Sequence, residues 1–168
     1  ILNKRNIILI GMPGAGKSSV GVILAKVLGY EFIDTDLVIQ HREKRLLREI
    51  IADEGNEGFL AIENEVNATL EANKSVIAPG GSAIYGKEAM EHFKEIGTIV
   101  YLKLSYEDLA KRLGNLKGRG VVLKEGQTLK DLYDERSKLY EQYAEITVDE
   151  SGRDIQGTIL ALREQIGM

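Results

Sequence analysis

Three glycines, one proline and one lysine fall within GMPGAGKSS, residues 11–19, directly after the apolar run NIILI. Residues 11–18 satisfy G-x-x-x-x-G-K-[ST] through Gly11, Gly16, Lys17 and Ser18. Glycines let a backbone curl until successive N–H groups point inward, and the positive end of the following helix faces the same hollow. Such a hollow binds phosphate. Lys17 is expected to reach the β- and γ-phosphates of ATP and Ser18 to ligate Mg²⁺, with Gly14, Ala15 and Ser19 completing the ATP-binding loop.

Two further groups of residues suit the same chemistry. Asp34 and Asp36 alternate in FIDTD (32–36), so they point in different directions at the end of a strand-like run. One carboxylate could support the Mg²⁺ shell while the other accepts a hydrogen bond from an attacking hydroxyl. The alternative for Asp36 is a helix cap or first-turn acid. Gly80 and Gly81, in APGGSA (78–83), would let backbone N–H groups approach a substrate or a γ-phosphate, or simply make a tight turn.

The elements that must hold these residues alternate along the chain. Strands are predicted at 6–10, 30–34, 75–79, 98–104 and 145–149. Helices are predicted after the first loop, where Val20, Ile23, Leu24 and Val27 share a face, and at about 37–52, 57–72, 86–95, 106–113, 128–143 and 154–166. Strands separated by helices imply right-handed crossovers and a parallel sheet covered on both faces, an α/β fold in three layers. The glycine-rich stretch 114–127 reads as a lid loop.

The 168 residues fit one domain, 1–168, and the 43% apolar content is that of a globular chain. The chain has no cysteine, which excludes disulfides and thiolate chemistry, and a net charge of −4 gives no pull toward nucleic acid or an anionic membrane. No apolar run approaches the roughly 20 residues of a membrane span. The first residues, ILNKRN, lack the apolar stretch of a signal peptide, and a trimmed tag or leader would account for the start at Ile1. The expectation is a cytoplasmic monomer with no nucleic-acid or membrane partner.

Among phosphate-loop proteins, a signalling GTPase needs N-K-x-D to read guanine. NLKG at 115–118 is the nearest string and lacks the Lys and the Asp in register. DESG at 149–152 matches D-x-x-G, but only residues 153–168 follow it. A small-molecule or nucleotide kinase fits the length, with a lid closing over ATP and acceptor to exclude water.

The chain resembles the shikimate kinase family over nearly its whole length. The likeness is carried by GMPGAGKS, FIDTD, EGFLAIENEV (57–66), APGGSA, GRGVVL (118–123) and ERSKLYEQYAEITVD (135–149). The resemblance implies a P-loop fold like that of nucleoside monophosphate kinases, with a five-stranded parallel sheet of order 2-3-1-4-5. It also implies transfer of a phosphoryl group from ATP to shikimate. By the same likeness Asp34 supports Mg²⁺ and Asp36 orients the hydroxyl. Arg119 is the lid arginine over the phosphates, Arg136 grips the acceptor's carboxylate, and Arg112 and Arg153 flank adenine. The acceptor-binding region is about 36–72. For Arg119 the alternative is a solvated loop arginine, and for Arg136 an i,i+4 partner for the neighbours of Glu135 or the Tyr140 ring on a helix surface.

Two positions depart from the family pattern. Leu60 stands in the substrate-binding segment where the family has an arginine, and Ser82 stands where it usually has a third glycine. Losing one charge-assisted contact to a carboxylate costs on the order of 1.5–3 kcal/mol. Either Arg45 or Arg48 takes over that contact, or the acceptor is another small hydroxyl compound, a sugar acid or a nucleoside monophosphate. A non-catalytic ATP-binding sensor is the alternative of a different class; it has little need for a lid arginine.

Overall fold

The computed structural model describes residues 5–114 and 125–168. The expected lid arginine, Arg119, and most of the glycine-rich stretch lie outside the described residues. Five strands form one parallel sheet: β1 (Asn6–Ile10), β2 (Glu31–Asp34), β3 (Ser75–Ala78), β4 (Gly97–Lys103) and β5 (Ile146–Asp149). Their order is β2-β3-β1-β4-β5, as the resemblance implied. Every pair is parallel, with Ile8 opposite Ile77 on one side and Ile99 on the other.

The central strand explains the layering. All five residues of β1 are buried, as expected of a parallel strand covered on both faces. Ile8 and Ile10 point into one apolar layer with Ile77, Ile99, Met90 and Phe93. Ile7 and Leu9 point the other way, to Val20, Leu24, Val100 and Leu162. The first layer is roofed by α4 (Lys87–Ile96), α5 (Tyr106–Gly114) and α6 (Leu129–Tyr143). The second is roofed by α1 (Lys17–Leu28) and α7 (Ile155–Ile166). A smaller cluster, Ile39, Ile50, Phe59 and Val66, binds α2 (Thr35–Glu43) to α3 (Leu47–Ala68) beside the sheet.

The helical boundaries differ from the sequence expectation in this last region. The single helix expected at 37–52 is divided at Lys44, whose left-handed backbone (φ 54°) ends α2 with its N–H on the Gln40 carbonyl. The Gln40 side chain then accepts from the Leu47 N–H at 3.0 Å and starts α3. α3 is interrupted at Gly55 (φ 75°, ψ 177°), so its second piece begins close to the expected start at 57 and runs to Ala68, short of the expected 72. In α1, Ile23 and Val27 are exposed while Val20, Gly21, Leu24 and Ala25 face the sheet. Among the described residues no helix is long and apolar enough to cross a membrane.

At the edge of the sheet away from the loops, Asn6 acts as a clip. Its Nδ2 donates to the carbonyls of Ala72 (3.0 Å) and Ile96 (2.9 Å), and its Oδ1 accepts from the Ser75 N–H (3.0 Å). These bonds join the entries of β3 and β4 to β1. Replacing the side chain strands three buried backbone groups. Asn6→Ala should therefore lower the free energy of unfolding by about 2–4 kcal/mol in urea denaturation while leaving the nucleotide affinity of the folded protein unchanged. An unchanged urea midpoint would contradict the clip.

Candidate active site

All five strands run the same way, so the turns leaving β1, β2 and β3 gather at one edge, where open α/β sheets bind ligands. A single cavity of about 1150 Å³ opens there. One end is the loop between β1 and α1. Gly14 and Gly16 take positive φ (88° and 80°), and Gly16 leads directly into the first turn of α1. Pro13, Gly14, Gly16, Lys17, Ser18 and Ser19 line the cavity. Gly11 and Ala15 are buried and contribute to the loop's frame rather than to the lining.

The Lys17 ammonium closes this loop, donating to the carbonyls of Gly11 (2.8 Å) and Met12 (2.9 Å). Burial lowers its pKa to about 8, and the Arg136 charge adds to that; Asp36, Glu150 and Asp34 pull the other way. Arg112 braces the same loop from α5, its Nη1 donating to the Gly14 carbonyl at 3.0 Å, and it also lines the cavity. Arg153 is exposed in the turn before α7 and does not line it.

At the end of β2 the two aspartates divide their work. Asp34 caps α2, its Oδ1 accepting from the Asp36 N–H at 3.0 Å. Asp36, in the first turn, is thereby free to face the cavity. Burial and then the Asp34 charge raise its pKa to about 6, against the pull of Lys17. Gly80 shows why the turn after β3 carries no side chain. A Cβ there would lie 2.9 Å from Asp36 Oδ1 and 3.1 Å from Glu63 Oε2.

Glu63 was not singled out from the sequence. It is buried on α3, accepts from Ser82 Oγ at 2.7 Å, and its Oε2 has no partner among the described residues. Burial pushes its pKa up to about 7, with Asp36 adding and the Ser82 hydrogen bond and Arg136 opposing. The signal was present: Glu63 follows Phe59 by four residues and so shares the buried face of the helix. Glu150, just after β5, was missed as well. It is buried behind the phosphate loop and raised to about 7 by burial, despite the Arg112 and Lys17 charges.

Arg136 comes from α6 and is almost wholly buried. Its guanidinium lies 5.5 Å from the Tyr85 ring centroid, and its Nε has no partner among the described residues. One turn further along α6, the buried Tyr140 hydroxyl donates to the Gly81 carbonyl at 2.7 Å, tying the arginine's helix to the β3 turn. The facing wall is apolar: Leu47, Ile51, Phe59 and Leu60 line it. Of the two arginines considered for Leu60's missing charge, Arg45 is held by Glu43 (3.0 Å), Asp53 (3.1 Å) and Glu54 (3.5 Å) and lies off the cavity. Arg48 lines it.

The site therefore juxtaposes a phosphate-binding loop with a carboxylate, a buried guanidinium and an apolar wall. The chain is similar to known proteins. A family model described as shikimate kinase matches residues 13–166. A shikimate kinase of Vibrio cholerae serotype O1 is 36% identical over 168 residues, covering 96% of this chain and 97% of that protein. Shikimate kinase 2 of Yersinia enterocolitica is 34% identical over 154 residues, covering 86% of each chain. Among solved structures, shikimate kinase from Acinetobacter baumannii in complex with shikimate superposes with a TM-score of 0.85 at 32% identity, covering 96% of this chain and 92% of that one. Thymidylate kinase from Candida albicans, at 15% identity and a TM-score of 0.63, shares the fold.

The buried carboxylate of Glu63 gives a pH test of the site. An unfolded glutamate titrates near 4.3, roughly, so between that pH and about 7 the folded state binds more protons than the unfolded one. Stability contributed at this position is full below the unfolded pKa and falls as pH rises through the folded one. Glu63→Gln should thus stabilise the protein by roughly 1–3 kcal/mol at pH 8 and by much less at pH 4, measured by denaturation at both. Equal effects at the two pH values would refute the assignment.

Proposed function

The chain belongs to the shikimate kinase family, and from that premise we propose that it transfers the γ-phosphoryl group of ATP to a hydroxyl of shikimate, giving ADP and shikimate 3-phosphate. The observation that carries the reading is one continuous cavity with Lys17 at its phosphate end and Asp36 and Arg136 at the other. ATP and acceptor therefore meet in one cavity, where electrostatic contacts strengthen as the ligands displace water.

In this reading the N–H groups of the loop and the α1 N-terminus hold the phosphates, and Lys17 exchanges its carbonyl partners for phosphoryl oxygens. Asp36 accepts the hydroxyl proton as the hydroxyl oxygen bonds to the γ-phosphorus. The bond from that phosphorus to the bridging oxygen breaks and ADP leaves. Arg136, stacked on Tyr85, takes the acceptor's carboxylate. Gly80 and Gly81 bring backbone to the acceptor, and Leu60 packs on its ring. Arg112, and Arg153 beyond the cavity wall, flank the adenine. Arg119, outside the described residues, is a further cation proposed for the phosphates.

Ser18 and Asp34 suit Mg²⁺, which takes only one or two protein oxygens and leaves its other positions to water and phosphate. Both line the cavity, and Asp34 commits only Oδ1 to capping α2. The ion, when bound, neutralises charge on the phosphates. Segment 36–72 is the acceptor-binding part of a single domain, and the enzyme works as a cytoplasmic monomer.

With ATP, Mg²⁺ and shikimate, purified protein should release ADP. Asp36→Asn should lower kcat by about 10²- to 10⁴-fold, and Arg136→Ala should raise the KM for shikimate about 10- to 100-fold with the KM for ATP unchanged. For the parent enzyme, kcat/KM should climb with pH through about 6 as Asp36 ionises. Turnover of a nucleoside monophosphate or a sugar acid, with none of shikimate at millimolar concentration, would overturn the acceptor.

A further inference from the structure

Three carboxylates, Asp36, Glu63 and Glu135, line the acceptor half of the cavity, and Arg136 is the one buried cation among the described residues there. An acceptor that is itself a carboxylate meets one buried opposite charge there, Arg136. The remaining lining cations are Lys17 and Arg112, both committed to the phosphate loop, and Arg48.

Arg48 stands apart from the other arginines of its region. Arg42 is paired with Glu65 at 2.9 Å, and Arg45 with three acids. No described residue pairs with Arg48, which is exposed at the cavity mouth. It is also the second residue of α3, where the helix dipole disfavours a cation. Its neighbours Leu47 and Ile51 line the cavity on the same helical arm, while Ile50 anchors that arm in the cluster with Ile39 and Phe59. The arm ends at the Gly55 bend, beyond which Phe59 and Leu60 supply the rest of the wall.

We propose that Arg48 is a specificity-determining residue, the second cation that holds the acceptor's carboxylate across the cavity from Arg136. The contact is charge-assisted. This assignment rests on the shikimate reading above and adds to it the residue that makes one buried arginine sufficient.

The test compares shikimate with its methyl ester, which has the same ring and hydroxyls but no charge. Arg48→Ala should raise the KM for shikimate at least about tenfold, with kcat and the KM for ATP within about twofold of the parent. Its KM for the ester should stay within about twofold, and Arg48→Lys should recover part of the loss for shikimate. An unchanged KM for shikimate in Arg48→Ala would overturn the proposal alone, since parent turnover leaves the kinase reading standing. An equal rise for shikimate and ester would also overturn it, because the residue would then act through shape. Absence of shikimate turnover in the parent would overturn both readings together.

Discussion

Four ionisable side chains, Lys17, Glu63, Arg136 and Glu150, are buried at one edge of the sheet, with Asp36 half-buried beside them. Dehydration disfavours the charged forms of Lys17, Asp36, Glu63 and Glu150. Their fields offset one another. Lys17 is drawn toward its charged form by Asp36 and away from it by Arg136, and Glu63 is pulled both ways by the same two residues. A substrate that brings phosphates to one end and a carboxylate to the other enters a set of charges already balanced against each other. The strands and helices exist, in this sense, to keep opposed charges apart from water and from collapse.

The two ends of the cavity are built differently. The phosphate end is local: one strand, one loop and one helix, with six residues between Pro13 and Ser19 lining the cavity. The acceptor end is assembled from α2, α3, the β3 turn and α6, tied together by side-chain bonds such as Ser82–Glu63 and Tyr140–Gly81. A local device can be recognised across many proteins. An assembled one carries the identity of the acceptor, and there Leu60 and Ser82 depart from the family pattern.

That contrast also decides what could be read without coordinates. The loop, the paired aspartates and the alternation of strands with helices were legible because a contiguous motif and apolar runs carry them, whereas the strand order came from the family resemblance. Glu63 and Glu150 were not, since a carboxylate's burial depends on what folds over it. The division between α2 and α3 was hidden because it falls on Lys44, a residue with no particular liking for the left-handed region, held there by the Gln40 carbonyl and by packing. Ile23 and Val27 matched a helical face that the sheet did not need. Arg45 and Arg48, three residues apart in sequence, were indistinguishable until one proved tied to acids and the other faced the cavity.

The bend at Gly55 splits the acceptor wall into an inner piece, packed on the turn after β3, and an outer piece carrying Leu47, Arg48 and Ile51. Because the backbone between them is not continuous helix, the outer piece is free of the rotational phase of the inner one. Its residues can be exchanged without turning Phe59 or Glu63 out of place. A lineage adapting this scaffold to a new acceptor would thus find its cheapest changes upstream of that single glycine, with the phosphate chemistry insulated from the experiment.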